Sequence, residues 1–553
     1  PIRPDQPPAL SADQRVVFKA VANELGHGFQ TFLLAGVTGS GKTEVYLILA
    51  QRVLNGDGQV LVLVPEIALI SQVERRFRAR FGDQVAVLHS NLSSGERYDQ
   101  WQRIAKNKTP IVIGARSAIF APLTRLGLVI VDEEHDTAFK QETGLRYNAR
   151  DLAIVRAKQS GAVVILGSAT PSVQTIFNAE RGKFKRLGLP RRINQRPLPQ
   201  VEIIDLRKIK GMRGPLRIIS QPLHHAMRQT LDRGEQILLF LNRRGFAGNP
   251  VCLACGEPVR CRHCDISLTL HQKHHAFKCH YCGFSRSAAI QCGACGASTI
   301  RALGMGTEKV EAVTKKLFPK ARVGRMDRDT TTHKGSVRRI LKQLKEGEID
   351  ILVGTQMVAK GHDFQNITLV GIICADLSLD FPDFRAGERT FQLLAQVAGR
   401  AGRGDALGRV ILQTYNPNHF TIQAAREQDY RRFYRREIRF RKALDYPPFT
   451  HLAQLKISGR DKVRTTKRTE AIGKACHGLQ SSNVAFSNTI TILGPIEAPL
   501  AKISDRYRWQ ILIKGQTSGN VHRYLRQLFS AEPMLSNDRT VRVSIDVDPY
   551  VMM

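Results

Sequence analysis

Eight of the ten cysteines fall in one short stretch as four Cys-x-x-Cys pairs: Cys252/Cys255, Cys261/Cys264, Cys279/Cys282 and Cys292/Cys295. Each pair can turn as a tight knuckle that supplies two thiolates, and a tetrahedral Zn²⁺ needs two knuckles. Five residues separate Cys255 from Cys261, little chain to turn two knuckles face to face; fourteen separate Cys264 from Cys279, ample for a ribbon hairpin. The spacing therefore pairs Cys261, Cys264, Cys279 and Cys282 at an inner site. Cys252, Cys255, Cys292 and Cys295 remain for an outer one. With four thiolates and no open position, both sites should be structural; an iron–sulfur cluster is the alternative that the same ligands allow.

A second chemistry sits upstream. Gly36-Val37-Thr38-Gly39-Ser40-Gly41-Lys42-Thr43 has the spacing of a loop whose backbone N–H groups cradle phosphates. Lys42 can reach the β and γ oxygens of ATP, and Thr43 can hold Mg²⁺. The loop follows an apolar run at 32–35 and precedes a helix-like stretch at 44–54, a context that a plain glycine-rich turn does not need. Asp132 and Glu133 close another apolar run, 128–131. Asp132 suits Mg²⁺ coordination and Glu133 suits activation of the attacking water. Alone, such an acidic pair is ordinary solvated surface; beside a phosphate loop it becomes a hydrolytic pair. Arg400 and Arg403 lie three apart in Gln396-Val397-Ala398-Gly399-Arg400-Ala401-Gly402-Arg403. That suits helical presentation of two guanidinium groups across a cleft to the transferring phosphoryl group, although a chain this basic also carries arginine as plain surface. Gln14, in Leu10-Ser11-Ala12-Asp13-Gln14, suits the adenine edge.

The elements that must position these groups read as two α/β lobes. In 553 residues there is room for three or four domains. Apolar runs at 32–35, 60–64, 111–113, 128–131 and 163–166 each end in a polar turn. Runs buried on both faces belong to a parallel sheet, and ligands bind at the carboxyl ends of its strands. After a less regular basic stretch near 182–220, the pattern restarts at 236–241, 351–353, 369–374 and 410–412, with the cysteines inserted between the first two. From residue 447 the order changes to β-α-β-β-α-β, a small split βαβ domain. The expected division is 1–185 for the ATP-binding lobe, 186–249 for a connector and the start of the second lobe, 250–303 for the zinc insertion, 304–445 for the rest of that lobe, and 446–553 for the C-terminal α+β domain.

The formal net charge of +35 is the outlying bulk property. Lys and Arg displace counterions from phosphate backbones, so a polyanion is the economical partner. No uninterrupted apolar run can span a bilayer, and no basic amphipathic anchor stands out, so no membrane partner is expected. Regular Cys-x-x-Cys pairs favour a reducing, cytoplasmic setting. Cys374 and Cys476 stand apart and read as buried core residues; His263 and His280 read as neighbours of the metals or of DNA, not as ligands.

The residue sets 36–43, 132–135, 167–170, 354–364 and 396–403 resemble the ordered motifs of superfamily 2 DEAH/DEXH-type DNA helicases. The cysteine pairs lie between Asn242-Arg243-Arg244-Gly245 and Gly304-Met305-Gly306-Thr307-Glu308 and resemble one branch, the bacterial primosomal replication-restart helicases. Asp327-Arg328-Asp329-Thr330-Thr331 and the terminal Asp546-Val547-Asp548-Pro549 match that branch too. The resemblance implies two RecA-like P-loop lobes, the same nested cysteine pairing with two Zn²⁺, and Gly361, Asp363 and Gln396 beside the nucleotide. It implies ATP-dependent 3′-to-5′ movement on single-stranded and forked DNA by a monomer, restart of stalled or repaired forks, and a nucleoid-associated place in a bacterium. Its partners would be single-stranded DNA-binding protein and primosome proteins. It also implies an N-terminal 3′-end-binding domain and a winged-helix domain; neither lies ahead of Pro1, so a piece of a longer protein is expected. A zinc-ribbon RNA helicase or duplex translocase is the alternative enzyme, and an assembly scaffold with a vestigial motor the non-enzymatic one. Residues 139–150 resemble the aromatic-rich loop of the family. Phe139, Lys140, Arg146 and Tyr147, with Arg116, are the expected DNA contacts, because aromatic and arginine side chains stack on bases.

Overall fold

The computed structural model describes residues 7–193, 199–209, 218–241, 249–271, 276–288, 291–303, 306–327, 329–331, 335–359, 364, 366–402, 408–531, 538 and 540–552. The expected sites at Gly361, Asp363 and Arg403, the turn 242–245 and residues 304–305 lie outside them. The chain divides into two compact units, Pro1–Pro197 and Leu198–Met553.

The first unit is one parallel seven-stranded sheet: β1 (Gln30–Gly36), β2 (Gln59–Leu63), β3 (Val85–Leu88), β4 (Ile111–Gly114), β5 (Leu126–Asp132), β6 (Val163–Ser168) and β7 (Lys185–Leu189), ordered β3-β4-β2-β5-β6-β1-β7. Val60, Leu61, Val62 and Leu63 are fully buried, as are Ile111, Val112 and Ile113. Such runs are what two covered faces require. Helices between the strands cover the sheet, and Val45, Leu49, Phe77, Ile130 and Ile165 belong to its core. β7 falls in the stretch read from sequence as basic connector. It is an edge strand with mostly exposed side chains, so it shows no apolar run.

The second unit begins with β8 (Gln200–Asp205) and β9 (Gln236–Phe240). The insertion follows: β10 (Asn249–Cys252) pairs antiparallel with β14 (Ile300–Leu303) and closes it at its base, while β11 (Thr269–His271), β12 (Ala276–Lys278) and β13 (Ser285–Ser287) form an antiparallel ribbon. The parallel sheet resumes with β15 (Val323–Met326), β16 (Ile351–Gly354), β17 (Ile367–Ile372) and β18 (Arg409–Thr414), in the order β15-β16-β9-β17-β18-β8. The cysteine segment thus interrupts this sheet after its second strand in the chain, not its first. Sequence reading passed over β8 and β15, whose runs are broken by Glu202 and Arg325. The C-terminal domain has β19 (His451–Gly459), helix Lys462–Ser482, β20 (Ile490–Ile503), β21 (Arg506–Gly515), helix Ser518–Ala531 and β22 (Val541–Val547). Its antiparallel order β20-β21-β19-β22 is a split βαβ arrangement.

Candidate active site and metal centres

Three adjacent strands of the first unit bring their carboxyl ends together. Asp132 at the end of β5 pairs with Gly167 of β6, and Ala35 of β1 pairs with Ser168. The phosphate loop leaves β1 and enters helix Lys42–Leu54 through Gly39 and Gly41, at φ 82° and 78°. Both lie in the left-handed region that glycine accepts without strain. A Cβ on Gly41 would also fall 2.3 Å from Gln14 Nε2. The helix presents its unpaired N–H groups and positive dipole end to the loop, which favours phosphate. Ser40 Oγ is buried and has no hydrogen-bond partner among the described residues, and Lys42 Nζ donates to the Gly36 carbonyl at 2.9 Å. A glycine cradle, an unsatisfied hydroxyl and a lysine suit the phosphates of ATP.

Asp132 accepts a 3.0 Å hydrogen bond from Tyr46 Oη. Burial, reinforced by the adjacent Glu133, lifts its carboxyl to about 6, against the pull of Lys42. A Cβ at Gly167 would lie 1.8 Å from Tyr46 Oη, so only glycine lets the phenol reach Asp132. Glu133 takes φ 51°, a conformation costing a non-glycine residue about 1–3 kcal/mol and concentrated at functional sites. Its carboxylate lies 3.7 Å from His135 Nδ1, which shares a 2.7 Å hydrogen bond with Ser168 Oγ.

Sequence reading missed the residue that ties these pieces together. Glu134 is buried, and its carboxylate accepts from Arg150 Nη1 at 3.1 Å, from the Ser172 N–H at 2.7 Å and from Thr175 Oγ1 at 2.9 Å. Removing one partner of such a buried pair costs about 3–5 kcal/mol. Glu134 therefore fixes the acidic motif against the turn after β6 and against helix Ala149–Ser160, which begins where the aromatic-rich loop ends.

Several residues expected at the nucleotide or at DNA are engaged by neighbouring groups of the first unit. Gln14 Oε1 accepts the Ser11 N–H, and Nε2 donates to the Ser40 and Gly41 carbonyls at 3.2 and 3.3 Å. The carboxamide thus braces the phosphate loop. Phe139 is 1% exposed and Lys140 5%, because a short turn capped by Asp136 folds them inward; neither presents a face to a base. Arg116 Nη1 donates to the Ala138 and Lys140 carbonyls at 3.1 and 2.7 Å and so holds that turn. The outward part of the loop is Leu145, 76% exposed, with half-exposed Arg146 and Tyr147. Tyr147 packs edge-on against Phe120, centroids 5.2 Å apart, and Phe120 is 50% exposed. No signal in the sequence singled out Phe120, since its partner is 27 positions away.

In the second unit, helix Ala386–Ala398 carries Gln396 and ends at Gly399. Arg400 follows in a turn, 7% exposed. Gly402, at φ 66°, donates its N–H to the Ile367 carbonyl at 3.2 Å.

The eight cysteines form two groups, Cys261/Cys264/Cys279/Cys282 and Cys252/Cys255/Cys292/Cys295, each with its sulfurs within 4.8 Å of one another. Cys252–Cys295, Cys255–Cys292 and Cys261–Cys282 sulfurs are 3.7, 3.6 and 3.6 Å apart. A tetrahedron with Zn–S bonds of ~2.3 Å has edges of about 3.8 Å, whereas a disulfide is ~2.05 Å. All four knuckles repeat one turn. The N–H of Gly256, Asp265, Gly283 and Gly296 donates to the carbonyl of Cys252, Cys261, Cys279 and Cys292, and each of the four donors has positive φ. Gly256 has a further constraint, since a Cβ there would meet the Tyr415 carbonyl oxygen at 1.9 Å. The outer site is thereby seated on the end of β18, and Arg207, just past β8, donates to the Cys255 carbonyl at 2.8 Å. The inner site is seated on the C-terminal domain: Tyr446 Oη donates to the Cys264 carbonyl at 3.1 Å and Gln510 Nε2 to the His280 carbonyl at 2.5 Å. His280, expected beside a metal or DNA, is 1% exposed and shares a 3.0 Å hydrogen bond with the Glu497 carbonyl. Cys374 and Cys476 are buried.

A phosphate loop and an acidic motif on one parallel sheet, a second such sheet, and paired Cys₄ sites define a two-lobed, zinc-bearing helicase motor. Comparison with known proteins agrees. Residues 11–178 match the DEAD/DEAH box helicase family and 299–405 the helicase conserved C-terminal domain. Residues 261–286 match the PriA DNA helicase Cys-rich region, and 442–550 the primosomal protein N C-terminal domain. The replication restart protein PriA of Bacillus subtilis (strain 168) is 43% identical over 99% of this chain and 67% of its own length. That of Treponema pallidum is 40% identical over 98% of this chain and 80% of its own. RecG bound to a three-way DNA junction aligns at a TM-score of 0.46 and 19% identity, over 76% of this chain and 47% of that one. The chain belongs to the PriA replication restart family: it is an ATP-dependent DNA helicase of replication restart that binds zinc through its cysteine module. No helix among the described residues is long and apolar enough to cross a membrane.

Proposed function

We propose that this chain couples ATP hydrolysis to 3′-to-5′ movement along single-stranded and forked DNA, at stalled or repaired replication forks. The observation that carries the motor reading is the convergence of the Gly36–Lys42 loop, Asp132 and Glu133 at the ends of neighbouring strands. Lys42 neutralises phosphate charge, and Thr43 and Asp132 hold Mg²⁺, which supplies electrostatic stabilisation of the transferring phosphoryl group. Glu133 orients the attacking water. Arg400, Arg403, Gln396, Gly361 and Asp363 are proposed as further nucleotide contacts, on the motifs of the family. Two Zn²⁺ sit in the Cys₄ groups and hold the insertion to the second lobe and the C-terminal domain. The similarity to replication restart proteins of Bacillus subtilis and Treponema pallidum supports the restart role. Work as a monomer in the bacterial cytoplasm, at the nucleoid, with single-stranded DNA-binding protein and primosome proteins, completes the proposal.

The raised carboxyl of Asp132 gives this reading a pH signature. Above about 6 the side chain is ionised and can hold the cation; below it, the half-buried carboxyl takes up a proton and cannot. The KM for Mg²⁺–ATP should rise roughly tenfold per unit as pH falls below that value. A flat KM across this range would remove Asp132 from the cation site.

DNA contact is assigned to Arg146, Tyr147 and Phe120. Arg146 Nε donates to the Glu142 carbonyl at 3.0 Å, and the loop joins the acidic motif to helix Ala149–Ser160, which Arg150 locks to Glu134. Arg146→Ala should cut DNA-stimulated hydrolysis far more than basal hydrolysis. One lost stacking or phosphate contact is worth about 1–3 kcal/mol, so DNA affinity should fall at most roughly a hundredfold. Steady-state ATPase with and without single-stranded DNA decides it. Equal factors in both rates would make the loop part of the catalytic scaffold.

A further inference from the structure

Helix Tyr430–Ala443, YRRFYRREIRFRKA, carries a cationic surface that neither the nucleotide site nor the metal centres use. It buries Phe433, Tyr434, Glu437 and Arg441 on one side. Phe433 stacks on Phe391 with centroids 4.6 Å apart, and Arg441 is held between Glu388 at 2.7 Å and Glu437 at 2.8 Å. The orientation of the helix is therefore fixed. On the opposite side Arg431, Arg432, Arg435, Arg436 and Arg439 are exposed. With Asp429 they line an open concavity of about 440 Å³.

Positions four apart share a helix face, and like charges so placed oppose the helix by about 0.2–0.5 kcal/mol per pair. Three such pairs occur here: Arg431 with Arg435, Arg435 with Arg439, and Arg432 with Arg436. Internal compensation is thin. Arg432 pairs with Glu427, while Arg431, Arg435, Arg436 and Arg439 have no carboxylate partner among the described residues.

We propose that this face is a binding site for the phosphodiester backbone of nucleic acid, held by the second unit independently of the ATP site. All five cations are arginine, whose planar fork matches phosphate oxygens bidentately. At a rise of 1.5 Å per residue, the four-residue steps set guanidinium groups about 6 Å apart along a rigid axis. No apolar or aromatic side chain lines the concavity. An acidic peptide would find no anchor there and a base no stacking surface, so recognition is of backbone charge, not sequence. The same lack of exposed apolar side chains excludes insertion into lipid. The site accounts for part of the net charge of +35. The inference rests on the reading that the chain works on DNA, and adds where a backbone is held.

The test compares two triple variants of the full chain: Arg435→Gln/Arg436→Gln/Arg439→Gln, and Lys462→Gln/Lys467→Gln/Lys474→Gln on the exposed side of helix Lys462–Ser482. Each is titrated with labelled duplex and labelled single-stranded DNA over a salt series. Each phosphate contact contributes about 0.9 to the slope of log K against log salt on duplex and about 0.7 on a single strand. The arginine variant should lose about 2.7 of slope on duplex, or about 2.1 on a single strand, and the form that changes identifies which backbone the face holds. The lysine control should lose less than about one. Arg→Lys at the same three positions should retain the slope. Equal losses in the arginine and lysine variants, or an unchanged slope in the arginine variant while the wild type binds DNA, overturn the proposal alone. Capture of a poly-glutamate peptide by the face with DNA slopes unaltered overturns it in favour of a protein partner. Absence of salt-dependent binding in the wild type overturns it together with the DNA reading.

Discussion

Lys42→Ala should abolish ATP hydrolysis and leave DNA affinity nearly intact. The lysine stands at the start of helix Lys42–Leu54, and its Nζ reaches back over the loop to the Gly36 carbonyl, within the region where phosphates would sit. It is the one flexible cation among Gly36, Thr38, Gly39, Ser40, Gly41 and Thr43. Removing one preorganised group of this kind costs roughly 10²–10³ in kcat, and the alanine variant also loses phosphate binding. DNA affinity, by contrast, arises from many dispersed cations in a chain of net charge +35. Phosphate release measured with and without single-stranded DNA, alongside DNA titration, checks both halves. Turnover like the wild type's would end the motor assignment.

Cys261→Ser should lower the metal content from two Zn²⁺ towards one and impair unwinding more than basal hydrolysis. From spacing alone the damage would stay inside the insertion. The packing carries it further. Cys261, Cys264 and Cys279 belong to one buried cluster with Phe277, Tyr281, Phe384, Tyr446, Leu452 and Leu512. Tyr446 and Phe384 stack with centroids 4.6 Å apart, and Tyr446 Oη holds the Cys264 carbonyl. Zinc binding is folding free energy for such a module, about 10–16 kcal/mol in isolated zinc-finger peptides. Loss of one thiolate should therefore loosen the seat of the C-terminal domain as well as the ribbon. The phosphate loop belongs to the other compact unit, which has its own core, so hydrolysis without DNA should suffer less. Elemental analysis, protease sensitivity near residue 446 and strand displacement read the three effects. Two retained zincs with full unwinding would show that the thiolate is dispensable.

Much of this was legible because its chemistry is local. The phosphate loop, Asp132 and Glu133, and the cysteine knuckles are short segments whose spacing carries the meaning, and β2 and β4 announce themselves as unbroken apolar runs. The edge strands β7 and β8 did not. Exposed on one side, they carry Lys185, Arg186 and Glu202 and read as connector. Glu134 and Arg150 were invisible for a different reason: they meet directly across 16 positions, and Ser172 and Thr175, up to 41 positions from Glu134, share the same carboxylate. Direction was the remaining gap. Composition marked 139–150 as a stacking loop, but only the turn at Thr137–Phe139 decides that Phe139 points inward while Leu145, Arg146 and Tyr147 face outward.

Strand displacement on a forked DNA, beside an RNA fork of the same sequence, tests the central claim most directly. The full chain should separate the DNA fork only with ATP and Mg²⁺, lose that activity in Lys42→Ala, and leave the RNA fork largely paired. Displacement without ATP, unchanged displacement by Lys42→Ala, or equal separation of the RNA fork would contradict an ATP-driven DNA motor.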